Sequence, residues 1–156
     1  MTEEEQYLHD HKMLRETGFF GSAGAGCIFY AKATGRVCLS FRSALVLQPR
    51  TWGTWGGAIA EGEDFYDAAR REVQEEAGFD GHYELIPAYV FQKGDFRYAN
   101  FIAVVEEEFT PDLDWETEAF AWFDLADVMT MMVQPLHFGL YALLTDQPTR
   151  DILRHL

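Results

Sequence analysis

The chain has 156 residues, 48% hydrophobic and 15% aromatic, enough apolar material for one substantial core and a single domain over 1–156. Its 26 acidic and 12 basic residues give a net charge of -14, which argues against a broad grip on an extended nucleic-acid backbone and requires that any polyphosphate ligand meet cations or focused arginines locally. No run approaches the roughly 20 apolar residues of a membrane span, and the N-terminal Met-Thr-Glu-Glu-Glu-Gln is acidic where a secretory leader is basic, so a cytoplasmic location without a membrane partner is expected.

Residues 2–17 are largely polar and rich in charge, suiting a loose helix or a tail. From Ala25 to Tyr30 the chain is apolar and partly β-branched. Turn chemistry follows at Ala33-Thr34-Gly35-Arg36, and a second apolar run extends from Val37 to Phe41, which predicts a β-hairpin. Cys27 and Cys38 lie on its two arms, 11 residues apart and without the neighbours of a zinc site, so both are expected to be reduced core thiols. The stretch from Gln48 to Gly57 reads as a Gly-rich loop carrying Trp52 and Trp55. A helix opens at Glu63-Asp64 and runs to about Ala77, where Gly78 stands in the position of a C-terminal cap.

Residues 82–92 and 96–106 read as two strands joined by Lys93-Gly94-Asp95. Trp115 to Phe123 suits another strand, Leu125 to Met132 a short helix or turn, and Leu136 to Leu144 a terminal helix after Pro135. Strands on both sides of one central helix, with more helix at the end, predict a mixed α/β layer fold.

The chemistry concentrates between Gly57 and Phe79. At about 100° per residue, Glu72, Glu75 and Glu76 fall within one arc of roughly 100° on the predicted helix. Ala68 and Ala69 on that side allow close approach to neighbouring backbone. Like charges at this spacing cost a few tenths of a kcal/mol per pair, so a compensating cation is expected. Clustered carboxylate oxygens suit Mg²⁺, which takes a few protein ligands and completes its shell with water and substrate phosphate. Arg71 can orient a neighbouring carboxylate through bidentate hydrogen bonds. The bland alternative, a solvated acidic helix face, is weakened by Gly57 and Glu63, which add a backbone turn and a fourth carboxylate at set distances.

This stretch resembles the signature of the Nudix hydrolase family, G-x5-E-x7-R-E-U-x-E-E-x-G-U with U apolar, and every fixed position is filled, Val73 and Phe79 serving as apolar positions. The resemblance implies a Nudix-type α/β/α sandwich with a central mixed β-sheet and flanking helices. It also implies a MutT-like pyrophosphohydrolase in which divalent metal, Mg²⁺ or its substitute Mn²⁺, helps water attack phosphorus and release a nucleotide. Carried onto these positions, Glu72, Glu75 and Glu76 are the implied metal ligands with the Gly57 carbonyl. Arg71 and Glu63 orient them, and the general base comes either from the helix glutamates, Glu72 as first choice with Glu75 also named, or from a glutamate on a later loop. Glu116 and Glu118 lie where relatives often place a further acidic ligand. The run Asp112-x-Asp114-x-Glu116-x-Glu118 fails a calcium-loop reading, because Thr117 stands where glycine is required.

For substrate, Trp52, Trp55, Phe91, Phe96 and Tyr98 could stack on a base, and Arg42, Arg50, Lys93 and Arg97 could meet phosphate, although core packing is the commoner fate of an aromatic. The proline that helps mark ADP-ribose hydrolases has no counterpart, since Pro87 comes only 8 residues after Phe79. Tyr98, 19 residues after it, is a near miss to the tyrosine of dinucleoside-polyphosphate hydrolases. A nucleoside triphosphate is the first expectation, with a nucleotide sugar or dinucleoside polyphosphate behind it. A non-catalytic Nudix-fold nucleotide sensor is the alternative, and a homodimer stays open because family relatives often dimerise.

Overall fold

A computed structural model describes Thr2 and residues 23–156. The expected N-terminal tail or helix therefore lies outside the described residues. In chain order the elements are β1 (Ala23–Ala31), β2 (Arg36–Arg42), β3 (Trp52–Gly53), β4 (Trp55–Ala58), α1 (Phe65–Ala77), β5 (Glu84–Lys93), β6 (Phe96–Val105), β7 (Thr117–Asp124), α2 (Leu125–Met129), α3 (Phe138–Thr145) and α4 (Gln147–Arg154).

One seven-stranded sheet runs β3-β2-β1-β6-β5, with β4 also on β1 and β7 also on β2. It is mixed: β1 pairs in parallel with β6 and antiparallel with β2 and β4. Strand alternation sorts the apolar residues onto two faces. Ala25, Cys27, Phe29 and Ala31 of β1 join Phe101, Ala103 and Val105 of β6 under the apolar side of α1. Ile28, Tyr30, Ile102 and Val104 point the other way, into a second cluster with Val128, Leu140, Leu143 and Leu153 from the C-terminal helices. Helices thus cover both faces of a central mixed sheet, the expected α/β/α sandwich. Cys27 and Cys38 are buried free thiols, as the sequence suggests.

Helix α1 is fixed at both ends. Asp64 accepts the Asp67 N–H through its carboxylate at 2.7 Å, a cap worth about 1 kcal/mol. At the other end Gly78 adopts φ 64°, the left-handed turn that glycine enters without a Cβ penalty, and donates its N–H to Gln74. The predicted Gly-rich loop is more regular than expected, since it contains β3 and β4. The helix α4 is an addition to the predicted elements: Asp146 closes α3 and also caps α4 through the Thr149 N–H at 3.1 Å. No helix among the described residues is long and apolar enough to cross a membrane.

The pairing of β1 with β4 brings Gly24, Gly26, Gly56 and Gly57 together, with Gly26 directly opposite Gly56. Tyr98 lies across this pavement. A Cβ at Gly24 would come within 2.7 Å of the Tyr98 ring, and one at Gly26 or Gly56 would overlap its hydroxyl. The hydroxyl itself is hydrogen-bonded to Thr54 Oγ1 at 3.1 Å. Gly56→Ala is therefore expected to overpack the site and destabilise the protein by about 2 kcal/mol, lowering Tm by about 6 °C for a chain of this size. Gly53→Ala, whose nearest neighbour would be 3.4 Å away, should shift Tm by less than half as much; equal melting of wild type and Gly56→Ala in a thermal scan would contradict the packing account.

Candidate functional site

The end of the sheet where β1, β4 and β6 meet opens into a cleft of about 790 Å³. One part is acidic, lined by Glu72 and Glu75 of α1 and by Asp114 and Glu116 from the loop before β7, with the Gly57 backbone and Arg71 between them. The other part is largely apolar and aromatic, lined by Val46, Leu47, Phe91, Phe96 and Phe138 with Tyr98 as floor. Arg42, Gln48, Lys93 and His137 supply its polar points.

The helix geometry predicted from spacing is present, with a difference in depth. Glu72 and Glu76, one turn apart, are buried, whereas Glu75 is exposed. Burial pushes the Glu72 carboxyl up to about 7, opposed by Arg71 and reinforced by Glu75 and Asp114. Glu76 is driven well above the usual carboxylate range by burial and then by Glu116, Glu72 and Asp114. Its Oε1 accepts the Thr117 hydroxyl at 3.3 Å, while its Oε2 is buried without a hydrogen-bond partner among the described residues. The Glu72 carboxylate lies directly against the Gly57 backbone, since a Cβ at Gly57 would stand 2.8 Å from Glu72 Oε1.

Arg71 ties the acidic groups together. Nε donates to Glu63 Oε2 at 2.9 Å and Nη2 to Glu63 Oε1 at 2.9 Å, so the bidentate partner is Glu63 and not a neighbouring carboxylate of the helix. Nη1 reaches Glu72 at 3.0 Å and Glu75 at 3.1 Å, and Nη2 also donates to the Ala58 carbonyl at 3.0 Å. Glu63 additionally accepts the Ala60 N–H at 3.0 Å. With Arg71 first and Ala60 second as causes, the Glu63 carboxyl is held down at about 2.

These residues fit a hard divalent cation. The unpartnered Glu76 oxygen, the neighbouring Glu72 carboxylate and the glycine backbone facing it are the donor types such an ion takes. As they stand, no three acidic side chains among the described residues converge at ligand spacing, and Arg71 Nη1 bridges Glu72 and Glu75.

The remaining candidates divide. Arg42, Phe91, Phe96, Tyr98, Lys93 and Glu116 line the cleft. Arg42 donates through Nε and Nη2 to the Leu47 carbonyl at 2.9 and 2.6 Å, which shapes the loop over the cleft. Trp55 is a core residue instead: it is fully buried, packs edge-on to Phe29 and donates its indole N–H to the Cys38 carbonyl. Trp52 packs against Phe41 and Phe123 on the other sheet face. Arg50 pairs with Glu118 at 3.3 Å, so neither candidate lines the cleft, and the exposed Arg97 does not line it either. Sequence reasoning missed Asp114, Gln48, His137 and Phe138. Asp114 was visible in the acidic run, but the other three come together only through folding.

His137 caps α3, its Nδ1 accepting the Gly139 N–H at 3.0 Å. Burial, then the Arg42 charge, lowers its pKa to about 3.

Residues 22–144 match the model of the NUDIX domain, and no curated protein matches the chain. Among solved structures, the chain is similar to a Nudix hydrolase from M. smegmatis, RenU, at 23% identity and TM-score 0.69, covering 88% of this chain and 89% of that one. It is similar to a MutT NUDIX hydrolase from Burkholderia pseudomallei at 23% identity and TM-score 0.62, covering 80% and 95%. It is also similar to a C. elegans Ap4A hydrolase at 22% identity and TM-score 0.67, covering 85% and 99%.

Two outcomes follow from the burial of these groups. Glu76→Gln removes a desolvated charge, so it should raise the stability of metal-free protein by about 1 kcal/mol or more while abolishing the rise in Tm that millimolar Mg²⁺ gives the wild type; a less stable metal-free variant would show that the carboxylate is already satisfied. For His137 the folded pKa lies below the unfolded value, so its favourable contribution is present above pH 6.5 and is lost as pH falls toward 3. His137→Asn, which keeps a capping acceptor, should remove up to about 1.4 kcal/mol per pH unit of acid sensitivity across that window. Denaturant titrations between pH 6.5 and 4 with matching slopes for the two proteins would refute this.

Proposed function

This chain belongs to the Nudix hydrolase family, whose members are pyrophosphohydrolases typically dependent on a divalent metal, and we propose that it hydrolyses a phosphoanhydride bond of a nucleoside triphosphate using Mg²⁺. The observation that carries this reading is the unpartnered buried oxygen of Glu76 one helical turn from Glu72, which lies against the Gly57 backbone and with it lines a cleft large enough for a nucleotide.

Each residue then has a physical task. Glu72, Glu75, Glu76 and the Gly57 carbonyl would hold the ion, with Glu116 favoured over Glu118 as an additional ligand because Glu116 lines the cleft and Glu118 turns to Arg50. The ion, when bound, neutralises diphosphate charge and makes water easier to deprotonate near neutral pH. Glu63 stays ionised and keeps Arg71 in one orientation, and Arg71 in turn positions Glu72 and Glu75. Glu72 is the candidate to accept the proton of the attacking water, because it lines the cleft beside the other groups that would hold the ion. As water oxygen bonds to phosphorus, the bridging P–O bond breaks and the leaving phosphate takes its electron pair. The aromatic end of the cleft receives the base, with Phe91 and Tyr98 as contacts, and Arg42 offers positive charge between the two ends.

Assays of phosphate and pyrophosphate release from nucleoside triphosphates, nucleotide sugars and dinucleoside polyphosphates should find metal-dependent turnover. Glu75→Gln and Glu76→Gln should each lower kcat at least about 100-fold. Arg71→Lys should lower it about 10-fold or more, since a point charge cannot reproduce the planar fork. Tight nucleotide binding without turnover across the panel would instead indicate a sensor.

A further inference from the structure

At the aromatic end, the rings of Phe91 and Phe138 meet edge-on with centroids 5.4 Å apart, and His137 stacks on Phe138 at 4.5 Å. The His137 backbone is clipped to β3: its N–H donates to Trp52 O and Trp52 N–H donates to Pro135 O, both at 2.8 Å. Because Nδ1 already accepts the Gly139 N–H, a neutral ring must carry its proton on Nε2. That N–H has no acceptor among the described residues, and His137 lines the cleft. Gln48 repeats the pattern. Its Oε1 accepts the Phe138 N–H at 3.2 Å, which turns its amide NH₂ into the remaining group at the cleft. His137 and Gln48 therefore each present a donor at this end.

We infer that this end is a base-selective subsite that prefers a keto base to an amino base, with His137 Nε2–H and the Gln48 amide donating to the base oxygen while the ring lies against Phe91 and Phe138. The inference rests on the nucleotide reading above. An amino group in the same place would set donor against donor and leave both desolvated, which is how polar sites reject close analogues. The low basicity of the buried imidazole keeps this donor pattern unchanged through the neutral range. The backbone clip to β3 holds the ring in place before ligand arrives, so little ordering is required on binding.

ITP and ATP differ at base position 6 and in the N1 proton that follows from it. Wild type should show kcat/KM for ITP at least about tenfold above that for ATP, carried by KM. His137→Ser, which keeps a capping oxygen but loses the ring donor, should bring the ratio to within about twofold. His137→Asn, which retains an N–H, should recover part of it. Gln48→Met, on an exposed loop, tests the second donor without touching the core and should also narrow the ratio. Calorimetric titration with IMP and AMP measures the same preference without turnover. Equal affinity for the two in wild type, or a ratio that survives both His137→Ser and Gln48→Met, would overturn the base selection and leave the hydrolytic reading intact. Preferential IMP binding with no hydrolysis of any nucleotide would do the reverse.

Discussion

All five N–H groups of Arg71 are committed, two to Glu63, one each to Glu72 and Glu75, and one to the Ala58 carbonyl. A guanidinium used up in this way has no freedom left. It locks the end of β4 to α1 and keeps the acidic side chains of Glu63, in the loop before the helix, and of Glu72 and Glu75, on the helix, in register with one another. Glu63 contributes by holding the guanidinium from below, and Ala60 N–H holds Glu63. The weak repulsion between helix glutamates, a few tenths of a kcal/mol per pair, is therefore a minor term. The larger cost is desolvation of Glu72 and Glu76, which Arg71 offsets for Glu72 and which the buried Thr117 hydroxyl and the Arg42 charge ease for Glu76. The site is held in an electrostatically unfavourable state by a fold whose two apolar clusters stabilise it from elsewhere.

The cleft is shaped by missing side chains as much as by those present. Glycines of β1 and β4 let Tyr98 lie flat against the sheet, so the floor is aromatic, with a polar edge at its hydroxyl. The acidic wall comes from α1 and the loop before β7, and the aromatic wall from β5, β6 and the corner before α3. A ligand with charge at one end and a flat ring at the other matches that division.

Local signals were enough for much of this. The apolar runs of β1 and β2, the opening of α1 at Glu63-Asp64, the Gly78 cap and the glutamate spacing are decided by near neighbours, and all are visible in the sequence. The two tryptophans were not separable, since Trp52 and Trp55 differ only in which sheet face each meets. Gly-rich sequence likewise hid β3 and β4, whose strand character comes from pairing with β2 and β1. His137 reads as an ordinary histidine until Trp52, far away in sequence, fixes its backbone. The second C-terminal helix was masked because Asp146 ends one helix and begins the next, although the Asp-x-Pro pattern that opens α4 was present.

The tyrosine-on-glycine pavement also constrains how such a chain can diverge. At Gly24 the principal obstacle to a larger residue is the Tyr98 ring, so that position could change in a lineage whose residue 98 had first become smaller. Gly26 and Gly56 face each other's backbone as well as the ring, and shrinking residue 98 opens no path for them. The order of substitutions is thus written into the strand spacing: one glycine is contingent on a neighbour's history, and two are fixed for as long as the strands stay paired.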